Sequence, residues 1–339
     1  MKQQTIKVRT QRAAKTALMV AGSVAGMISA LFAGTAQAQS DYPNKPIAMI
    51  VNFAAGGATD VAGRTLAEYL RDKLGQSVVV ENLTGAGTSI GTARVARAPK
   101  DGYTILFSTA STFTITPHIQ PSLNINLADF QAIARVGSVP LALSTRKDFP
   151  AASLNEFIAA AKARPKGVSS GTAGAGSIHD ILNRYTFKRL GIESVPIHYR
   201  GESAALPDLM SGQTDAQFVS VAAAAQQLQT GAIRIIATAS PKRAASLPNV
   251  PTFAELGYPD IFGDSWQIVM LPAGTAAPIG ARLSTAIADV MRMPAFVERL
   301  AKVGAEIPPP ATPADIVKLL ADETKRWGVV VSENKITAN

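Results

Sequence analysis

The sequence predicts an α/β fold built twice, and three observations carry that reading. Short apolar runs such as Ile47–Phe53, Val78–Val80 and Tyr103–Phe107 alternate with amphipathic stretches, the pattern of strand, helix, strand in a mainly parallel sheet. The same alternation resumes after about residue 143. Glycine-rich turns follow several of the apolar runs, at Gly56-Gly57, Gly85-Ala86-Gly87 and Gly174-Ala175-Gly176.

Taken in order, Pro43 and Pro46 hold the start of the mature chain extended. Ile47–Phe53 is the first strand. Thr59–Leu74 is a helix, because Ala62, Leu66, Tyr69 and Leu70 share one face, and Gly75 ends it. Val78–Val80 has no polar alternation, so it reads as a strand covered on both faces. A loop from Asn82 to Gly91 enters a second helix, and Tyr103–Phe107 is a third strand followed by Ser108-Thr109-Ala110-Ser111-Thr112. Between Asp129 and Leu143, Gly137 and Pro140 divide the apolar residues into short segments. The second set has helices near Leu154–Ala163, Ile178–Leu190, Ala204–Met210 and Val221–Gln229. Its strands are expected at Val168–Ser170, Val195–Tyr199, Ala216–Val219 and Ile233–Ala239. A loop-rich stretch around a short Phe253–Leu256 helix leads to a strand at Ser265–Met270. Helices at Ala277–Val290, Pro294–Lys302 and Pro313–Trp327 then return to pack on the first domain. Two chain passes between domains make a hinge.

The 339 residues carry 33 basic and 24 acidic side chains and no cysteine. Five of the basic groups, Lys2, Lys7, Arg9, Arg12 and Lys15, precede an apolar stretch from Thr16 to Phe32, and Ala36-Gln37-Ala38 supplies small residues beyond it. This is a secretory signal cleaved after Ala38, favoured over an uncleaved anchor because the apolar run is short for a span. The rest keeps 28 basic and 24 acidic groups, too mild and too scattered an excess for a nucleic-acid partner. Without cysteine there are no disulfides, no thiolate metal site and no acylation point for a lipoprotein. The expected compartment is the bacterial periplasm.

The turn Val51-Asn52-Phe53-Ala54-Ala55-Gly56-Gly57-Ala58-Thr59-Asp60 is the clearest place for chemistry. Glycine admits backbone angles that a side chain blocks. The first N–H groups of a helix lack intrahelical acceptors and favour an anion. A structural turn is the competing reading for any one loop, but the feature recurs at Gly85–Ser89 and Gly174–Ser177. Ser108, Thr109 and Ser111 leave a strand at the same edge, where ligands of open α/β sheets bind. Asp60 reads as a capping residue or as a contact to a ligand amine or an ordered water, and Asp215 as a loop-holding residue. Phe53 and Phe218 read either as core or as apolar walls of a cleft. Arg64, Arg200 and Arg234 are less favoured partners for a second carboxylate. His118, His179 and His198 form no His-x-x-x-His pair. His179 reads as fixing its loop through a backbone bond. No Gly-x-Gly-x-x-Gly dinucleotide fingerprint follows the first strand, and no phosphate loop is present. No catalytic residue, metal or cofactor is therefore expected.

With these residues in hand, the mature chain resembles the substrate-binding receptors of tripartite tricarboxylate transporters, the Bug family. The matches run in order through Tyr42-Pro43-Asn44-Lys45-Pro46-Ile47, Phe53–Asp60, Val80-Glu81-Asn82, Gly85-Ala86-Gly87 and Asp101-Gly102-Tyr103-Thr104. They continue through Gly174-x-Gly176-Ser177-x-His179, Tyr199-Arg200-Gly201, Leu209–Asp215, Leu247–Thr252, Trp266 and Leu271–Thr275. The resemblance implies a two-lobe, type II-like periplasmic binding protein, each lobe a mainly parallel sheet flanked by helices, closing by a hinge. It implies a ligand carboxylate held at Phe53, Ala55, Gly57 and Thr59 on one side and at Gly174, Gly176 and Ser177 on the other. Asp60 and Asp215 match positions near the cleft. Asn52 and Ala55 stand where relatives often have proline.

The expected division is a signal peptide at 1–38, lobe 1 at 39–142 and 240–339, and lobe 2 at 143–239. The expected function is capture of a small mono-, di- or tricarboxylate by a monomer and delivery to membrane transporter subunits. A sensory receptor presenting its ligand to a membrane kinase, or a periplasmic enzyme acting on a carboxylate, is the alternative.

Overall fold

A computed structural model describes residues 42–302 and 304–337; the expected signal peptide lies outside the described residues. From Lys45 onward the first half runs β1 (Ile47–Val51), α1 (Ala58–Leu74), β2 (Val78–Asn82), α2 (Ser89–Ala96) and β3 (Thr104–Thr109). Two short helices, α3 (Ser111–Thr114) and α4 (Thr116–Ile119), then lead to β4 (Phe130–Arg146). The second half runs α5 (Leu154–Lys162), β5 (Val168–Thr172), α6 (Ile178–Leu190), β6 (Ser194–His198), α7 (Glu202–Ser211), β7 (Ala216–Ser220), α8 (Val221–Gln229) and β8 (Ile233–Thr238). It is followed by β9 (Asp264–Pro272), α9 (Ala277–Met291), α10 (Pro294–Ala301) and α11 (Pro313–Asn334).

Each half has a parallel trio. β2, β1 and β3 lie side by side in the first, and β6, β5 and β7 in the second. Antiparallel strands join them, so the strand order is β2-β1-β3-β9-β4-β7-β5-β6, with β8 also on β4. β2 stands at the edge of the sheet, and Val79 is exposed. The expectation that this run is covered on both faces is corrected: Val78 and Val80 are half-buried on one face, whereas Val79 points to the other, which is open to solvent.

β4 joins the two halves. Its residues from Phe130 to Pro140 pair with β9, and those from Leu141 to Arg146 pair with β7 and β8. Sequence reasoning broke this strand at Gly137 and Pro140. In the structure Gly137 lies opposite Gln267, whose side-chain oxygen occupies the space a Cβ needs. Pro140 is the last residue paired with β9, where the strand changes partners. A residue with no N–H donor is tolerated where ladder bonding is handed over. The segment Phe253–Gly257 is a turn rather than the expected short helix.

The apolar residues gather on both sides of this junction. One cluster holds Ile50, Leu106, Phe113, Trp266 and Ile268. A second holds Leu143, Phe157, Ile181, Phe187 and Phe218. A third, on the opposite face of the second sheet, holds Ala142, Leu209, Val219 and Leu247. Residues after β8 join the second half, Phe253 and Ile261 in the second cluster and Leu247 and Val250 in the third. α11 is shared. Thr312 and Asp315 close a capping box at its start, a device that satisfies two orphan N–H groups at once. Its Ile316 and Leu320 pack in the first cluster, whereas Trp327, Val330 and Val331 pack in the second. The expectation that this helix returns to the first domain thus holds for its opening turns only.

Candidate site at the strand ends

Parallel strands place their C-terminal ends on one edge. The turn after β1, the glycine loop after β2 and the hydroxyl run after β3 share that edge in the first half. The loops after β5, β6 and β7 share it in the second.

In the first loop, Gly56 adopts φ +80°, a conformation open to glycine at no steric cost. Gly57 is the N-cap of α1 and provides no side-chain cap. Ala55 and Gly57 are exposed, and Phe53 and Thr59 are half-buried. Asn52, at the end of β1, is buried and donates to Thr92 Oγ1 at 3.0 Å, tying the strand end to α2. Asp60 is only 2% exposed. Its Oδ2 accepts from Gly56 N at 2.8 Å and Arg64 Nε at 3.0 Å, and its Oδ1 accepts from Asn82 Nδ2 at 2.8 Å. Burial opposes its ionisation, but the Gly56 N–H, the Asn82 amide and the Arg64 guanidinium outweigh it and hold the carboxyl below its ordinary range. The carboxylate therefore faces inward as a loop tether, in line with the capping reading.

The second loop is held the same way. Gly174 and Gly176 have φ +123° and +74°. Ser177 caps α6, accepting from Asp180 N and donating to Gly174 O at 2.7 Å. Gly176 N donates to Asp180 Oδ2 at 2.9 Å, and Arg184 Nε donates to Asp180 Oδ1 at 2.8 Å. Gly176 is buried against Ile119 of α4, whose Cδ1 leaves no room for a Cβ. The loop of one half thus rests on an element of the other.

Ser108 and Thr109 are buried at the end of β3. Ser108 Oγ donates to Thr112 Oγ1 at 3.0 Å, and Thr88 Oγ1 donates to the same atom at 3.3 Å. Thr109 Oγ1 bonds Ser111 Oγ at 2.8 Å. These hydroxyls join the Gly85–Ser89 loop to the β3 end.

Two expected site residues lie elsewhere. Asp215 precedes β7 and sits at the opposite end of the sheet. It is saturated by Ser169 N and Oγ, Arg146 Nε and an Arg164 terminal nitrogen, at 2.9–3.1 Å. Phe218 is 0% exposed and belongs to the second core, because alternation along β7 turns Ala216 and Phe218 to the same covered face. It is core, not a cleft wall. Among the arginines, Arg64 serves Asp60 and Asn82, Arg234 bonds the Phe149 and Ala151 carbonyls, and Arg200 is exposed.

The histidines all have structural partners. His118 Nε2 bonds Thr324 O at 2.9 Å. His179 Nε2 reaches Glu202 Oε2 at 3.2 Å rather than a backbone group, which corrects the expected bond. Glu202 also accepts from Ser220 N and Oγ at 3.0 and 2.7 Å. Burial raises the pKa of Glu202, and the opposing pull of His179 and Ser220 brings it below its ordinary range. His198 bonds Thr172 Oγ1 at 2.8 Å. Glu202, Asp180 and Arg184 escaped sequence reasoning. For Asp180 and Arg184 the available signal was spacing, since Gly176-x3-Asp180-x3-Arg184 repeats Gly56-x3-Asp60-x3-Arg64. Among the described residues, no group of three or more His, Asp or Glu is placed to hold a metal. A surface hollow of about 630 Å³ lined by Phe130, Ala273, Pro313 and Val317 lies at the start of α11, away from the glycine loops.

Residues 62–336 match the model of the tripartite tricarboxylate transporter family receptor. The chain is 39% identical over 294 residues to protein BugT of Bordetella pertussis, covering 86% of this chain and 90% of that one. Among solved structures it is similar to MatC of Rhodopseudomonas palustris with bound malate, at 29% identity and a TM-score of 0.76, covering 86% of this chain and all of the other. It is likewise similar to an R. palustris protein with adipate, at 29% identity and a TM-score of 0.79, covering 87% and 99%. These relatives make the fold that of a two-lobe periplasmic binding protein and the role binding, without catalysis. The chain is a periplasmic solute-binding protein and belongs to the receptor family of the tripartite tricarboxylate transporters.

Proposed function

We propose that this receptor binds a small dicarboxylate between its two glycine loops and delivers it, as a monomer, to membrane transporter subunits. The observation that carries the reading is the pair of helix starts, α1 and α6, each preceded by a glycine turn at the ligand-binding edge of a parallel trio. In this reading Ala58 and Thr59 supply main-chain donors on one side and Ala175 on the other, because the N–H groups of Gly57, Gly174, Gly176 and Ser177 are bonded within the protein. Phe53 and Ala55 border the first loop, with Ser108 and Thr109 behind it as a hydroxyl shelf. Relatives of similar fold hold malate and adipate, which points to a di-acid of four to six carbons. The proposed division keeps lobe 1 at 39–142 and 240–339 and lobe 2 at 143–239; the packing of Phe253 and Ile261 with Phe218 favours carrying lobe 2 on towards β9.

The test is a thermal-shift screen of mono-, di- and tricarboxylates on the processed protein, followed by calorimetry. The expected outcome is one site per chain with micromolar or tighter affinity, about 8 kcal/mol or more of binding free energy. A well-folded protein that responds to no carboxylate sinks the reading.

A further inference from the structure

The two halves anchor their glycine loops with the same four parts. In each, a glycine N–H (Gly56 or Gly176) is drawn onto an aspartate at the third helical position (Asp60 or Asp180) at 2.8 or 2.9 Å. An arginine one turn on (Arg64 or Arg184) holds that aspartate at 3.0 or 2.8 Å. The last residue of the neighbouring edge strand completes the set. Asn82 ends β2, in register with Val51 of β1, and its Oδ1 takes Arg64 at 2.6 Å. His198 ends β6, in register with Thr172 of β5, and its Nε2 takes Arg184 at 3.3 Å. An arginine can only donate, so Nε2 accepts and Nδ1 donates to Thr172 Oγ1. That oxygen in turn accepts from Gly174 N at 3.3 Å.

A bare aspartate beside an anion site repels the ligand. Here each aspartate is paired with an arginine, and the pair as a unit is close to neutral. Each spends its acceptor oxygens on the protein. The geometry therefore points to Asp180, Arg184 and His198, with Asp60, Arg64 and Asn82 as their counterparts, as positioning residues that fix the direction of the loop N–H groups without touching the bound acid. The inference rests on the carboxylate reading above for its effect on affinity, but not for its effect on the loop.

Three variants test it, read by calorimetry with malate and adipate and by amide hydrogen exchange of the free protein. Asp180→Asn is expected to weaken binding at least 10-fold with stoichiometry still near one. An aspartate that is only a nearby negative charge would give tighter binding, and one that only supports the fold would leave the affinity of the folded fraction unchanged. Either result overturns the inference. His198 is one-third exposed, so its variants fold even if Asp180→Asn does not. His198→Asn installs the residue the other half uses, and is expected to stay within about 3-fold of the parent in affinity. His198→Ala is expected to lose 5-fold or more and to speed exchange across Gly174–Ser177, with no such change in His198→Asn. If the two His198 variants behave alike in exchange, the equivalence of the two cradles is wrong, whether or not the parent binds either acid. A parent that binds no carboxylate, with the exchange pattern as expected, would sink the functional reading alone.

Discussion

At the level of single residues, the site depends on which side chains are already committed. Ser177 caps α6 and bonds Gly174 O, so it stands at the mouth of the second loop while holding the helix start. Ser177→Asp keeps a good capping oxygen but loses the donor to Gly174 O and adds a negative charge where the proposed acid would sit. The melting temperature is expected to stay within a few degrees while carboxylate affinity falls below detection in calorimetry; unchanged affinity removes Ser177 from the site. Asp60 and Glu202 contribute to the acid sensitivity. Their folded pKa values lie below the ordinary 3.8 and 4.5, so they favour the folded state fully above those values. That contribution is lost as pH falls through them. Melting temperature is expected to hold down to about pH 5 and drop towards pH 3, with a shallower drop in Asp60→Asn. A flat profile from pH 6 to pH 3 contradicts this.

The loops that frame the candidate site were readable from spacing, because a strand followed by paired glycines and an amphipathic helix leaves few alternatives. What escaped was relational. Asp60 was read alone, although the shared Gly-x3-Asp-x3-Arg spacing ties it to Asp180. Phe218 was ambiguous because an isolated apolar residue carries no sign of which face of its strand is covered. Asp215 precedes a strand whose direction was legible, but its distance from the glycine loops depends on which end of the sheet carries the loops.

At the level of elements, β4 and α11 do what no sequence pattern advertised. Gly137 and Pro140 look like breaks, yet they mark where a single strand accommodates Gln267 and then exchanges partners. α11 has a regular apolar stripe, and periodicity cannot say that the stripe is divided between two cores. The division falls between Leu320 and Trp327, where His118 bonds Thr324 O and its imidazole lies over Gly328. Trp327 is fully buried and its Nε1 donates to Glu323 at 2.6 Å. Trp327→Ala is expected to cost about 3–5 kcal/mol, measured by urea denaturation. Conservation of the wild-type midpoint would show that the last turns of the helix do not contribute to the second core.

For the whole molecule, the sharing of β4 and α11 couples halves that would otherwise unfold separately. Calorimetric unfolding is expected to give one transition with equal van't Hoff and calorimetric enthalpies. Two resolved transitions would mean the shared elements transmit little. A ligand lodged between the halves raises that single transition by mass action.

The position of α11 along the chain also sets the order in which the protein can mature. Every strand among the described residues precedes it, and it supplies side chains to the first and second clusters alike. A chain that has not yet acquired α11 lacks apolar partners in both clusters, Ile316 and Leu320 in one and Trp327, Val330 and Val331 in the other. Removal of the residues from Pro313 onward is therefore expected to cost both halves stability at once rather than one alone.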